Sequence, residues 1–432
     1  MLTSRTIPSN LHRFMQLKRV VITGIGTINP LGHSIGEFFD NLDAGFSGAG
    51  PITRFDTTLF KTKFACEIKD YDPVKFGIDR KEERKLDRFT QYAFIAAGQA
   101  IEDSSIDMEI ENPDRIGVIM GTGIGGIETL FQEIEGYCDG GKIPRFSPFL
   151  IPKMIPDIAP GMISMKYGFR GPNYTTVSAC ASSTHAMIDA FNTIRLGKAD
   201  FIITGGSEAG ITVPSIGGFN SAQAMSTNND NYLTASRPFD KTRDGFVMGE
   251  GSGVMVFEEY EHAIARGAKI YCEVAGGGMT ADAYHITAPH PEGSGAVNVM
   301  KLALEEAGLE RESVDYINVH GTATPLGDVA ELKAIKALFG EHAYKLNISA
   351  TKSMTGHLLG AAGSVEALAC IHAINSGVIP PTINFEHEDP EIDYKLNLTL
   401  NKAQRREVKV AMNNTFGFGG HNASMIVKKF VK

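Results

Sequence analysis

Short β-branched runs, most of them ending at a glycine, alternate along the chain with stretches whose apolar residues recur at helical spacing. Strands are predicted at residues 19–22, 116–120, 174–178, 201–204, 253–257, 271–275, 316–319 and 424–428. Helices are predicted over 90–101, where Ala93, Ala96 and Ala97 share one face, and over 181–196, where Met187, Ile188, Phe191 and Ile194 do. The stretches 297–307, 330–339 and 361–374 read the same way. Strands alternating with helices predict an α/β fold with a mostly parallel sheet.

The pattern carries an internal echo. The run GFVMGEGSGVMV from Gly245 resembles GFGGHNASMIV from Gly417 once one gap is allowed. Both read as a glycine turn between antiparallel strands, each closing one half of the chain. A duplicated chain is expected, with an extension at 1–16, a first half at 17–268 and a second at 269–432. A chance match of two glycine-rich hairpins is the competing reading. No Pro/Ser-rich linker separates the halves, so they should pack as one body.

Composition narrows the function. The chain is 432 residues long, 43% hydrophobic and 21% charged, enough for a sizeable core. No apolar run approaches the ~20 residues of a membrane span, so no membrane partner is expected. A formal net charge of −9 argues against general nucleic-acid binding. The cysteines at 66, 138, 180, 272 and 370 form no CxxC pair, so no metal site is expected and the chain reads as reduced and cytoplasmic. Residues 1–14 carry Arg5 and Arg13 and no acid. They read as a disordered extension, with an organellar transit segment as the alternative.

Three segments carry candidate chemistry. In YTTVSACASSTHAM from Tyr174, Cys180 stands where a strand meets a helix. Unpaired N–H groups and the helix dipole there favour a thiolate and should lower the cysteine pKa, and such a turn exposes the side chain. Buried small-residue cysteine is the reading accepted for Cys66, Cys138, Cys272 and Cys370. In YINVHGTATPLGD from Tyr316, a strand delivers His320 at its carboxyl end, followed by Thr322 and Thr324. In SATKSMTGHLLGAAGSVE from Ser349, Lys352 and His357 flank a glycine turn. Glu366 then falls in an apolar helical run and needs a partner, Lys352 or a backbone donor. GTGIGG from Gly121 formally matches a dinucleotide fingerprint, but no acid ends a second strand, and no nucleotide site is expected. Thr351-Lys352-Ser353 has no phosphate-loop glycines in register.

These segments, with VVITGIGTINPLG, GTGIGG, FDKTRDGFVMGEGSG and NNTFGFGGHN, resemble the β-ketoacyl-[acyl-carrier-protein] synthases, most closely the type II elongating enzymes. The resemblance runs from about Lys18 to Lys428. It implies a thiolase-like fold of duplicated βαβαβαββ halves in a layered α-β-α-β-α body, a site between the halves, and a homodimer. Type III initiating synthases and chalcone synthases have Asn where His357 stands. Thiolases use a second cysteine near the C-terminus, and none follows Cys370. Type I elongating synthases and polyketide ketosynthases share the chemistry and remain alternatives. A thiolase-type acyltransferase or hydrolase and a non-catalytic partner subunit are the other classes weighed. His421 departs from the family, where many members have threonine.

The resemblance implies a decarboxylating Claisen condensation that elongates an acyl group carried on Cys180, with no cofactor. His320 and His357 would stabilise the enolate, Lys352 would keep them neutral, and Glu366 would orient Lys352. The N–H groups of Cys180 and Phe416 would form the second oxyanion pocket. Thr322 and Thr324 would contact the phosphopantetheine arm. Ile124, Phe219, Phe416 and Phe149 would line the acyl chain, with Phe149 on a proline-bounded loop (148–152) that crosses the dyad. The basic stretch RKEERKLDR from Arg80 reads as a solvated helix on its charges alone. For a family that uses acidic carrier proteins, Lys81, Arg84 and Lys85 there become docking candidates.

Overall fold

The computed structural model describes residues 17–431. The extension expected at 1–16 lies outside the described residues. Ten strands run in one sheet: β1 Val20–Ile28, β2 Ile116–Gly121, β3 Asn173–Thr176, β4 Phe201–Glu208, β5 Gly251–Glu259, β6 Cys272–Ala281, β7 Tyr316–Asn318, β8 Asn347–Ser349, β9 Val410–Gly417 and β10 His421–Lys428. Their spatial order is β8-β7-β9-β10-β6-β1-β5-β4-β2-β3. Each half therefore has its third, second, fourth, fifth and first strand in that order. In each, the first strand pairs antiparallel with the fifth and the fifth with the fourth, while the fourth, second and third run parallel. The two halves join at a short ladder, Val20↔Val274, Val21↔Glu273 and Ile22↔Cys272. This is the duplicated βαβαβαββ arrangement.

The layers follow from which helix faces are apolar. Helices α1 (Arg88–Ser104), α2 (Ser182–Arg195), α3 (Ser294–Ala307), α4 (Pro325–Phe339) and α5 (Ala362–Ser376) connect the strands. Helix α5 has hardly a polar face; twelve of its residues, Glu366 among them, are buried. It packs with α2 against strands of both halves, so this pair forms the middle layer. Helix α1 covers the outer face of the first half and α3 with α4 that of the second. Strand β1 is buried along its whole length, as a strand covered on both faces must be.

Helix α1 starts at Asp87, whose carboxylate accepts from the Phe89 N–H at 3.3 Å and also holds the Thr129 hydroxyl at 2.5 Å. Its alanine face reaches β1 because β1 offers glycine. A Cβ on Gly26 would stand 2.2 Å from the Ala96 carbonyl oxygen.

The echo is half right as local structure. Residues Phe418, Gly419 and Gly420 do turn between β9 and β10. The Gly245 segment is not a hairpin turn. It lies in the long connection between β4 and β5, with Phe246 bridging Met225 and Met248 bridging His357. In the first half the tight turn is replaced by a loop that supports the site.

Gly26→Ala should cost at least ~2 kcal/mol, because the new methyl meets backbone that cannot rotate away. Urea unfolding of the two proteins checks this; equal midpoints would contradict the close packing of α1 on β1.

Candidate active site

Three strand ends of the duplicated sheet converge on one cavity of about 480 Å³. The first half contributes Cys180, between β3 and α2. Ala179 before it takes φ +51°, a left-handed conformation rare for a side-chain-bearing residue, and this turns the sulfur inward. Cys180 is only 9% exposed where it lines the cavity, so the side chain expected to be exposed is buried. The second half contributes His320, just past β7, and His357, just past the short helix Lys352–Thr355.

His357 Nε2 lies 3.0 Å from Cys180 Sγ. The His320 and His357 rings meet edge to face with centroids 5.3 Å apart. The Leu359 N–H donates to His357 Nδ1 at 3.3 Å. Nδ1 is thus an acceptor, and the proton of the neutral ring sits on Nε2, facing the sulfur. Burial first, and the Lys352 charge second, push both imidazoles well below the usual histidine range. Protonation of both rings is therefore disfavoured, with desolvation as the larger cause.

The expected low cysteine pKa is absent. Burial pushes the Cys180 thiol up to about 12, against the opposing pull of Lys352 and of the Phe418 and Cys180 N–H groups. The helix N-terminus does not outweigh desolvation here, so the resting group is a thiol beside a neutral imidazole.

The oxyanion pocket also differs from the expected one. Phe416 sits inside the β9–β10 ladder opposite Asn422. The N–H that faces the sulfur alongside that of Cys180 belongs to Phe418, at the turn. The Phe416 ring instead packs 5.8 Å from His320.

Lys352 and Glu366 form an ion pair, each no more than 2% exposed as a residue. Burial pushes Glu366 up to about 7, while Lys352 pulls it down. One sulfur and two imidazole nitrogens lie within 4.8 Å of one another, a donor set that suits a soft metal ion. The Lys352 charge acting on both imidazoles opposes a cation at that point.

Of the other expected residues, Ile124, Phe219, Thr322, Thr324 and Phe416 all line the cavity. The two threonine hydroxyls are 3.1 Å apart. Phe149 does not line it; it is 38% exposed on the outside, before the short helix Leu150–Met154. Lys81, Arg84 and Lys85 are exposed and form no ion pair among the described residues, at and just beyond the short helix Arg80–Glu83.

Three carboxylates escaped the sequence reading. Glu331 on α4 accepts from the His320 N–H at 2.9 Å and the Gly321 N–H at 3.0 Å, and so fixes the histidine's backbone. Asp328 accepts from the Ala323 N–H at 3.2 Å. Glu208 ends β4 beneath the GTGIGG loop. Burial pushes Glu331 up to about 7 and Asp328 up to about 6. The test that found Glu366, an acid within an apolar run, also finds Glu331 in VAELKAI.

Comparison with known proteins agrees with this geometry. Residues 17–263 match the model of the β-ketoacyl synthase N-terminal domain, and residues 271–386 that of the C-terminal domain. The chain is 49% identical over 416 residues to 3-oxoacyl-[acyl-carrier-protein] synthase 2 of Synechocystis sp. (strain ATCC 27184 / PCC 6803 / Kazusa), covering 96% of this chain and 99% of that protein. It is 48% identical over 415 residues to the protein of the same name from Staphylococcus aureus (strain COL), covering 96% and 99%. Among solved structures, a β-ketoacyl synthase from Burkholderia phymatum STM815 superposes with a TM-score of 0.89 at 33% identity, covering 96% of this chain and 100% of that one. The ishigamide ketosynthase/chain length factor superposes with a TM-score of 0.90 at 34% identity, with the same coverage. By its two matched domains, its superposition on solved ketosynthases and its near full-length relatives, the chain belongs to the β-ketoacyl synthase family.

Proposed function

We propose that this protein is an elongating 3-oxoacyl-[acyl-carrier-protein] synthase of the second type. The observation that carries this reading is the Cys180 sulfur 3.0 Å from a neutral His357, with a second neutral imidazole beside it on the floor of an apolar cavity. In the first half-reaction Cys180 attacks an acyl thioester delivered by an acyl carrier protein. The C–S bond to the carrier breaks, and the thiol proton ends on the departing thiol. The N–H groups of Cys180 and Phe418 face the sulfur, beside which the carbonyl oxygen of the bound acyl group becomes the tetrahedral oxyanion.

In the second half-reaction a malonyl thioester occupies the same cavity with its arm along Thr322 and Thr324. His320 and the Nε2–H of His357 donate to its carbonyl oxygen as the C–C bond to carbon dioxide breaks. The resulting carbanion attacks the acyl carbon. The C–S bond to Cys180 then breaks, giving a 3-oxoacyl thioester and a thiolate that takes up one proton. A charged imidazole would hold the enolate too tightly and would cost more to bury; a neutral one donates without that cost. No cofactor enters this scheme. A polyketide ketosynthase is the second reading, favoured by the likeness to the ishigamide ketosynthase/chain length factor.

The acidic carrier protein is placed against Lys81, Arg84 and Lys85, whose charges are unpaired among the described residues. A ketosynthase in complex with its acyl carrier protein superposes on this chain with a TM-score of 0.88 at 31% identity. The five cysteines are free, which fits action in the cytoplasm. No helix among the described residues is long and apolar enough to cross a membrane.

A homodimer is proposed on the free edge of the sheet. Strand β3 has a neighbour on one side alone. Tyr174 on it and Val177 just past it are 38 and 56% exposed, and Phe149 and Ile151 in the connection that leads to it are 38 and 57% exposed. An apolar edge of this kind is a pairing site for a second copy, which would bring Phe149 toward the partner's acyl cavity. Sedimentation should find a dimer at micromolar concentration; a fully active monomer refutes the proposal.

Two further outcomes test the chemistry. Cys180→Ala should lose acylation and condensation yet still release carbon dioxide from malonyl-carrier protein. His320→Ala or His357→Ala should still acylate while decarboxylation falls by ~10²–10³. Mass spectrometry of the acyl-enzyme and a carbon dioxide assay read both, and a histidine variant that decarboxylates normally sinks the assignment. Ile124→Phe should fill the cavity and reject long acyl primers while accepting short ones. Unchanged use of long primers would remove Ile124 from the chain-binding wall.

A further inference from the structure

Glu208 is fully buried, and no cationic side chain pairs with it among the described residues. Four donors converge on it instead. One carboxylate oxygen accepts from the Gly123 N–H at 2.6 Å and the Gly360 N–H at 3.0 Å. The other accepts from the Ile124 N–H at 3.2 Å and the Thr122 hydroxyl at 3.1 Å. Three of these donors belong to the GTGIGG loop, which carries Ile124 into the cavity. The fourth belongs to the turn after His357.

That turn has a specific task. Leu359 takes φ +48°, an unfavourable conformation for leucine, and from there its N–H reaches His357 Nδ1. The next residue is Gly360, the one Glu208 holds. A Cβ on Gly360 would stand 2.1 Å from the Gly123 nitrogen, so the two loops touch at backbone distance. Two oxygens therefore tie together a loop from each half of the chain. Strain at Leu359 persists only if its neighbours are fixed, and the Gly360–Glu208 bond fixes the nearest one.

We propose that Glu208 is a positioning residue that couples the acyl cavity to the enolate site: it holds the Ile124 wall and, through Gly360, the strained Leu359 turn that keeps the His357 proton on Nε2. This rests on the proposed synthase reading. A carboxylate suits the position because it accepts from all four donors at once. A carboxamide cannot, since its NH₂ must face one of the donor pairs. Burial raises the Glu208 pKa and the four donors lower it, the balance expected of an acceptor held in a dry site.

Glu208→Gln, nearly isosteric, tests the idea. Three quantities are read on the full-length protein: carbon dioxide release from malonyl-carrier protein, relative use of short and long acyl primers, and the ¹⁵N chemical shifts of His357. We expect decarboxylation to fall roughly 10- to 100-fold, in kcat rather than KM, as for a small misplacement of a catalytic group. We expect primer preference to change with it, and the His357 shifts to move from the Nε2–H form toward a mixture of tautomers. Circular dichroism checks the fold. If the glutamine variant does not fold, Glu208→Asp takes its place. It keeps the charge but is one methylene too short to span both loops, and the same losses are expected. A folded variant with wild-type decarboxylation and an unchanged His357 tautomer overturns the inference. A wild-type protein that releases no carbon dioxide fails the synthase reading instead, so the two failures are distinguishable.

Discussion

Everything at the site depends on a charge that is buried and answered: the Lys352–Glu366 pair beneath the imidazoles. An ammonium alone in this interior would be costly, and Glu366, on the otherwise apolar α5, removes most of that cost. What remains is a positive potential large enough to discourage protons on His320 and His357. The pair adds to burial, the larger cause, in disfavouring protonation of both imidazoles. It also explains why α5 runs through the middle of the molecule, where a carboxylate can be delivered from below while the helix packs on strands of both halves.

Duplication supplies the rest of the geometry. In each half the parallel strands end toward the site, but the two halves use those ends differently. The first gives a sulfur between β3 and α2, and the second gives two imidazoles near β7 and the Lys352 helix. Neither half holds a complete set. The long β4–β5 connection, where the second half has a three-residue turn, brings Phe246 to within 5.3 Å of the His357 ring. One copy of the repeat has thus been elaborated to pack against the chemistry held by the other.

Much of this is legible in the sequence, for physical reasons that differ by element. The fully buried strands β1, β2, β4 and β5 announce themselves as β-branched runs, and the alanine face of α1 announces its contact with β1. Strand β8 escapes a sequence reading because three residues, Asn347–Ser349, show no periodicity. The span of β9 is hidden by its Asn413-Asn414-Thr415 centre, polar residues that are buried because each finds a hydrogen bond in the fold. Cys180, His320, His357 and the Lys352–Glu366 pair are all visible as residues out of keeping with their surroundings. The cysteine pKa comes out wrong from sequence because a helix start is visible there but not how dry its environment is. Phe416 stands in for Phe418 because two phenylalanines one glycine apart are indistinguishable until a turn decides which N–H faces the sulfur. Phe149 cannot be placed in a cavity by a single chain.

The position of β1 has a consequence for how the chain reaches this state. It is the first of the ten strands to be made, yet it pairs on one side with β5, through Val20↔Glu259, and on the other with β6, through Val20↔Val274. During synthesis, both hydrogen-bonding edges of VVITGIGTI therefore wait until more than half the chain has emerged. Closing such long loops before any pairing is gained is slow. Meanwhile an uncharged, β-rich segment stays exposed, which is the kind of stretch that associates with other chains. The strand at the centre of the finished sheet is thus unpaired until late in synthesis, and α1, which packs on it, is available to cover it before its partner strands emerge.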